Sequence, residues 1–159
     1  MKKVLLGIVL AVVFSLGMQA QTGSKAIMPK LGYQTEFKRF ALGVEGRYFF
    51  TDNIRVAPGL TFLFPKDDIT GLDVDINVHY VFPIQSGLSV YPFIGGAMLN
   101  NRWSPDGGDS VSTTDFGFNI GAGIQYDVTS NGYVNFEFKY TFKENKDPAY
   151  FMLGYGIRF

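Results

Sequence analysis

Alternation of apolar and polar residues with a period of two constrains the fold of this chain more than any other feature. In the run GLDVDINVHY, the apolar residues Leu72, Val74, Ile76, Val78 and Tyr80 alternate with Asp73, Asp75, Asn77 and His79. Successive side chains on a β-strand point to opposite faces of the sheet, so this period predicts strands with one apolar and one polar face. Beyond residue 20 no stretch has the i, i+3, i+4, i+7 spacing of an amphipathic helix. The pattern predicts an all-β protein.

Eight runs show this alternation, and we expect each to form one strand. They are residues 31–37, 40–48, 54–64, 71–80, 88–99, 116–126, 133–142 and 151–159. The connections after the second, fourth and sixth runs are short and rich in Asp, Asn, Ser and Gly, as tight hairpins require. Most of the other connections are longer and more charged, and the longest spans residues 100–114. This arrangement is typical of a meander with turns at one end and loops at the other.

The two faces of the predicted strands indicate the solvent around them. In strands two to eight the apolar face carries no charge and is heavily aromatic, whereas the other face is rich in glycine and holds a few charges of both signs. In lipid every backbone polar group needs a partner, and a closed barrel is the only β-structure that provides one. We therefore predict an all-β, eight-stranded antiparallel up-and-down transmembrane β-barrel. The alternative is a secreted, soluble, lipocalin-like β-barrel that binds apolar ligands, which would need its aromatic face turned inward.

The N-terminus has the features of a secretory signal peptide. Lys2 and Lys3 precede an apolar run from Val4 to Leu16, and a short polar end leads to Ala20. We expect cleavage after Ala20, which divides the chain into a signal peptide (residues 1–20) and a barrel domain (residues 21–159). The mature chain then has 12 basic and 14 acidic residues, a net charge of about −2. Nothing in this balance points to nucleic acid as a partner.

The chain contains no cysteine, which excludes a disulfide scaffold, a thiolate metal site, a catalytic thiol and a lipid-modified N-terminal cysteine. We expect no cofactor. Asp106 and Asp109, or Asp67 and Asp68, are weak candidates for a divalent cation because they lack the spacing of a Ca²⁺ loop. We therefore predict no metal site.

The final run, FMLGYGIRF, resembles the terminal strand of small eight-stranded outer-membrane proteins of the OmpX and OmpA transmembrane type. The resemblance covers about residues 29–159 and includes the APGL and VYPFIGGA segments. It implies location in the bacterial outer membrane, and it implies that the barrel assembly machinery reads the terminal strand. The residues of that assembly signal would be Phe151, Leu153, Tyr155, Ile157 and Phe159.

Pro58 and Pro92 lie inside two of the predicted strands. Proline cannot donate a hydrogen bond to a neighbouring strand, and a closed barrel has no free edge to accommodate it. We expect β-bulges near both positions.

An eight-stranded barrel leaves an interior just wide enough for side chains, so we expect a filled polar lumen and not a diffusion pore. Inward parity assigns the following residues to a lumen network of ion pairs and hydrogen bonds: Glu36, Glu45, Arg47, Arg55, Asp73, Asp75, His79, Glu137, Lys139 and Arg158. A proton or ion path through these groups is the functional alternative.

Some barrels of this size modify lipid A, so catalysis must be considered. The deacylase type uses a His and a Ser on one strand in an HxSN-like motif, but Val81 follows the only histidine, His79, at the serine position. His79 also falls on the polar face, without a Ser or Asp partner on a shared outer face. We therefore expect no enzymatic activity.

The loop of residues 100–114 contains the candidate surface contacts Arg102 and Trp103. Trp103 either contacts a partner or marks the outer lipid boundary, and we favour the boundary. The expected partners are outer-membrane lipid and lipopolysaccharide, the assembly machinery during biogenesis, and a surface ligand or host partner that the loops contact. The expected role is structural or one of surface interaction.

Overall fold

The computed structural model describes residues 22–159, so the predicted signal peptide and its cleavage site after Ala20 lie outside the described residues. The strands are β1 (Lys25–Gln34), β2 (Arg39–Phe49), β3 (Ile54–Lys66), β4 (Ile69–Tyr80), β5 (Phe82–Gln85), β6 (Leu88–Trp103), β7 (Val111–Asp127), β8 (Gly132–Phe142) and β9 (Ala149–Arg158). Strands β4 and β5 are two parts of one barrel strand, interrupted at Val81. Within residues 22–159, no helix is long and apolar enough to cross a membrane.

Apart from β4 and β5, each strand pairs antiparallel with its neighbour along the chain, and two further pairings close the sheet. Strand β1 pairs with β9, and β4 pairs with β6. The result is a closed, eight-stranded, up-and-down barrel, as the alternation predicted. We call the end that holds residues 50–53, 86–87 and 128–131 and the C-terminus the turn end. The opposite end, with residues 35–38, 67–68, 104–110 and 143–148, is the loop end.

The apolar face of the strands is turned outward. Phe40 and Phe116 are 71% and 74% exposed, whereas Glu45 and Asn77, on the opposite parity, are fully buried. An outer surface of exposed aromatic and aliphatic residues suits contact with lipid acyl chains. The alternative of a soluble barrel that encloses an apolar ligand is not favoured, because its aromatic face would have to point inward.

Several strands are longer than predicted. Strand β1 begins at Lys25 and ends at Gln34, not at residues 31 and 37, because inward Ala26 and Met28 are themselves apolar and hid the alternation. The sequence predicts a turn at residues 83–87, but Phe82–Gln85 form β5. The longest loop spans only residues 104–110 and not residues 100–114, because residues 100–103 pair with residues 111–114. Strands β3 and β4 are joined by the two-residue turn Asp67–Asp68, whose φ angles of 50° and 63° suit the favoured twist of a tight hairpin.

The expected β-bulges at Pro58 and Pro92 are absent. The β2–β3 ladder skips two rungs beside Pro58 without a change of register. Pro92 lies where β4 ends and β5 has not begun, and the register is the same on both sides of this gap. At each proline, therefore, the ladder to one neighbouring strand is interrupted, and the missing N–H donor of proline falls in this interruption.

Candidate functional site

Polar and charged side chains project into the interior of the barrel. Eight of the ten residues assigned to the lumen by parity are at most 4% exposed: Glu45, Arg47, Arg55, Asp73, Asp75, His79, Glu137 and Lys139. They project from the inward faces of β2, β3, β4 and β8. Alternation along these strands is what directs them toward the barrel axis.

One cluster joins two carboxylates to two cations. Glu45 accepts hydrogen bonds from Lys30 Nζ and from Arg47 Nε, each at 2.7 Å. Glu137 lies 3.6 Å from Lys30 Nζ and 3.4 Å from Arg47 Nη2. All four side chains are no more than 2% exposed. Each buried charge thus has opposite charges beside it, as low-dielectric surroundings require.

A third cation adjoins this cluster through the only histidine. Arg55 donates to His79 Nδ1 from Nε at 3.1 Å and to Gln125 Oε1 at 3.0 Å. The His79 ring stacks on Tyr91 with centroids 4.7 Å apart. His79 is therefore enclosed by Arg55 and aromatic rings, with its Nε2 lacking a hydrogen-bond partner within the described residues.

A second cluster balances the charge of the first. Lys139 Nζ contacts Asp73 Oδ2 at 2.8 Å and Asp75 Oδ2 at 2.5 Å, and it lies 4.4 Å from the centre of the Tyr150 ring. This cluster has a formal charge of −1, and the first cluster together with Arg55 has +1. The two clusters neutralise each other within the interior.

Apolar layers lie on both sides of the charged clusters. The layer toward the loop end consists of Ala41, Leu63, Leu99, Tyr150 and Met152. The layer toward the turn end consists of Phe49, Val81, Tyr91 and Phe93. Buried side chains thus lie at several levels between the loop end and the turn end.

Inward-facing glycines leave room for this packing. A Cβ atom added at Gly121 or Gly123 would overlap the ring of Phe93 or Tyr91, the residues beside them on β6. A Cβ atom at Gly156 would overlap the Tyr133 ring in the same way. The glycine-rich face noted in the sequence is the space that large lumen side chains occupy.

Two of the ten assigned residues lie outside the buried clusters. Glu36 is in the turn after β1, where it accepts from Lys143 Nζ at 2.8 Å at the loop end. Arg158 pairs with Asp127 at 2.6 Å at the turn end, and both side chains are partly exposed. Glu36 was assigned to the lumen because the first strand was predicted to continue to residue 37, but β1 ends at Gln34. Arg158 is the last residue of β9 and therefore lies at the edge of the barrel.

The ten assigned residues lack three buried polar residues of β1 and β2. Lys30 lies before the first predicted strand, Arg39 lies between two predicted strands, and Gln34 lies inside the first predicted strand but is uncharged. Arg39 donates to Gln34 Oε1 at 2.7 Å and to Asn101 Oδ1 at 2.5 Å. Extending the parity of strand one back to Lys25 would have found Lys30, and Gln34 already had the parity of Glu36 within the predicted strand.

The described residues contain one group of three or more side chains that could hold a metal ion, Glu45, His79 and Glu137. Lys30 and Arg47 already supply positive charge to both carboxylates. A metal cation would have to displace these partners. The weak candidates Asp67, Asp68, Asp106 and Asp109 do not form such a group.

A pocket of about 420 Å³ opens at the loop end, and we call it the loop-end pocket. Its lining includes Glu36, Phe37, Asn101, Trp103, Asp115 and Lys143. Trp103 shares the inward parity of buried Leu99 and is 47% exposed. Trp103 thus lines the pocket, and the expectation that it marks the outer lipid boundary stays a prediction. Arg102 has the opposite parity and pairs with Ser112.

The residues assigned to the terminal assembly signal share the outward face of β9 and the residue after it. Their exposed fractions are 44% for Phe151, 56% for Leu153, 40% for Tyr155, 43% for Ile157 and 78% for Phe159. The backbone N–H of Phe159 donates to the Lys25 carbonyl at 3.0 Å. The terminal strand thus completes the barrel against β1, and its recognition by the assembly machinery stays a prediction.

Comparison with known proteins identifies the family. Residues 8–159 match the family described as outer membrane protein beta-barrel domain. The chain belongs to this family. Outer membrane protein X of Enterobacter cloacae is 25% identical over 150 residues, which cover 90% of this chain and 83% of that protein.

Solved structures share the fold of this family member. Neisserial surface protein A matches with a TM-score of 0.74 and 18% identity, over 87% of this chain and 98% of its own. The N-terminal β-barrel domain of OprF from Pseudomonas aeruginosa matches with a TM-score of 0.69 and 20% identity, over 89% and 100%. The protein is a bacterial outer-membrane β-barrel.

Proposed function

We propose that this barrel has a structural or surface-interaction role, with a filled polar lumen that does not act as a wide diffusion pore. The observation that carries the proposal is the position of Arg47. From β2 this buried side chain donates to Tyr91 on β6 at 2.9 Å, to Gln125 on β7 at 3.2 Å and to Asn135 on β8 at 3.3 Å. One side chain therefore bridges the lumen from wall to wall.

The proposed role includes no chemistry. His79 is fully buried and its Nδ1 accepts from Arg55, so a lipid substrate at the outer surface cannot reach the ring. A hydrolytic His would need a nucleophile within hydrogen-bond reach and access to substrate. Loss of a lipid A modification in a His79→Ala variant would contradict this part of the proposal.

The proposed orientation places the loop end outside the cell and the turn end in the periplasm, following the plan of outer-membrane barrels. The partners follow from this orientation. Outer-membrane lipid and lipopolysaccharide surround the apolar face, a surface ligand or host partner meets the loop end, and the assembly machinery acts on the terminal strand.

Conductance across a planar lipid bilayer tests the filled lumen. The wild-type barrel should show no steady channel, because the Arg47 side chain crosses the lumen and apolar layers lie toward both ends of it. The double variant Arg47→Ala/Tyr91→Ala, which opens the lumen, provides the comparison. Steady ion conductance by wild-type protein, at the level of the double variant, would contradict the proposal.

A further inference from the structure

We propose that the loop-end pocket binds a neutral, hydroxyl-rich ligand of the hexose class. Two aromatic residues and several hydrogen-bonding groups line the pocket, and its volume of about 420 Å³ lies in the range of small-molecule sites. The inference depends on the proposed surface role only in placing this end in contact with solvent.

The first support is a buried acceptor that has no donor. The Glu36 side chain is 3% exposed, and its Oε1 accepts from Lys143 Nζ at 2.8 Å. Its Oε2 is buried without a hydrogen-bond partner within residues 22–159. An unpaired buried carboxylate oxygen is costly, and a ligand that donates a hydrogen bond to it gains the corresponding free energy.

The second support is the charge balance of the pocket, which disfavours charged ligands. Lys143 Nζ also lies 3.3 Å from Asp115 Oδ2, so one ammonium group serves both carboxylates. Arg39, which bonds Asn101, and Lys146 both lie over the Phe37 ring, so the five charged groups here carry both signs and sum to only +1. An anion would meet two carboxylates, and a second ammonium group or a metal ion would meet Lys143. A hydroxyl group suits Glu36 Oε2 best, because it donates a hydrogen bond without bringing a charge.

The third support is the aromatic wall. Trp103, which is 47% exposed, lines the pocket together with Phe37 and Asn101. Small-molecule sites combine apolar and aromatic surface with a few placed polar groups. A hexose has C–H faces for the rings and hydroxyl groups for Glu36 and Asn101.

Trp103, the only tryptophan in the chain, provides the signal for the test. The barrel should be titrated in phospholipid nanodiscs, without sugar-based detergents, with glucose, galactose and mannose. Glucosamine and glucose 6-phosphate serve as cationic and anionic probes of the same size. We expect a saturable change in Trp103 fluorescence with at least one neutral hexose, in the millimolar range, and weaker binding of both charged probes.

Glu36→Gln removes the charge and should weaken binding about tenfold, since charge-assisted hydrogen bonds are roughly twice as strong as neutral ones. Asp115→Asn is a second variant, which should also weaken binding. Asp68→Asn is the matched control, because Asp68 is an exposed carboxylate at the same end but outside the pocket lining, and it should bind as the wild type does. Each variant should first show the gel shift on boiling that marks a folded barrel.

Three results would overturn the inference: no saturable signal with any hexose, equal binding in Glu36→Gln and Asp68→Asn, or tighter binding of either charged probe. Bilayer conductance is independent of these results, so failure here and failure of the filled-lumen proposal can be told apart. A hexose could be free or part of lipopolysaccharide. Repeating the titration in nanodiscs that contain lipopolysaccharide distinguishes them, because a bound lipopolysaccharide sugar would compete with free hexose.

Discussion

Glu45→Ala should be among the most destabilising single changes in the lumen. Glu45 is fully buried and is the nearest carboxylate to both Lys30 and Arg47, at 2.7 Å from each. Without it, these two cations share Glu137 at 3.6 Å and 3.4 Å, and Arg55 adds a third positive charge to the cluster. Removing one partner of a buried ion pair costs about 3–5 kcal/mol. We expect a loss of this size in the free energy of unfolding.

The assay is equilibrium unfolding by urea in phospholipid vesicles, followed by the gel shift between boiled and unboiled samples. Glu45→Gln keeps the volume and an acceptor, so it should lose less, about 1–3 kcal/mol. The double variant Lys30→Met/Glu45→Leu removes both members of a pair and should lie within about 1–2 kcal/mol of the wild type. Together with the single variants Lys30→Met and Glu45→Leu, this double variant completes a double-mutant cycle, which gives the coupling free energy between Lys30 and Glu45.

The reasoning would be refuted by either of two results. Glu45→Ala could unfold within about 0.5 kcal/mol of the wild type, the range of an ordinary surface substitution. Alternatively, the double variant could be as unstable as the sum of its two single variants, which would mean that the two charges are not coupled.

Two further predictions concern packing and assembly. Gly123→Ala should destabilise the barrel by about 1–3 kcal/mol because its Cβ overlaps the Tyr91 ring, whereas Gly96→Ala, with no atom nearer than 4.0 Å, should leave the urea midpoint unchanged. Equal midpoints for the two variants would contradict the packing argument. Deletion of Phe159 should reduce the heat-modifiable band in outer membranes, whereas Phe40→Ala, also exposed to lipid, should not. Equal reduction in both would show that Phe159 has no special role in assembly.

Much of the fold was predictable because alternation is a local signal that survives without tertiary contacts. The outward residues of β4 and β8, such as Val74 and Phe136, and their inward neighbours Asp73 and Glu137 were placed correctly from parity alone. Strand bounds were less predictable. Ala26 and Met28 in β1 are apolar but point inward, so the contrast on which the period depends was lost there.

The loop end was predicted least well. Residues 100–103 and 111–114 contain Asn, Arg, Ser and Thr, which have the composition of a loop, yet they pair rung by rung. Their polarity suits strands that continue beyond the apolar outer surface into water. Composition alone could not separate such an extension from a loop, so Trp103 was placed in a loop and not at the end of β6.

The sequence by itself determined the class of fold, the outward apolar face and the inward position of most charged residues, because each follows from the period of two along a single strand. Only the tertiary structure decided which charges meet, since the partners of Arg47 come from strands far apart in the chain. It also placed Lys30 beside Glu45 and grouped Glu36, Trp103, Asp115 and Lys143 around one pocket. Closure of the barrel is the physical reason, because parity fixes the direction of a side chain and only the closed register fixes its height and its neighbours.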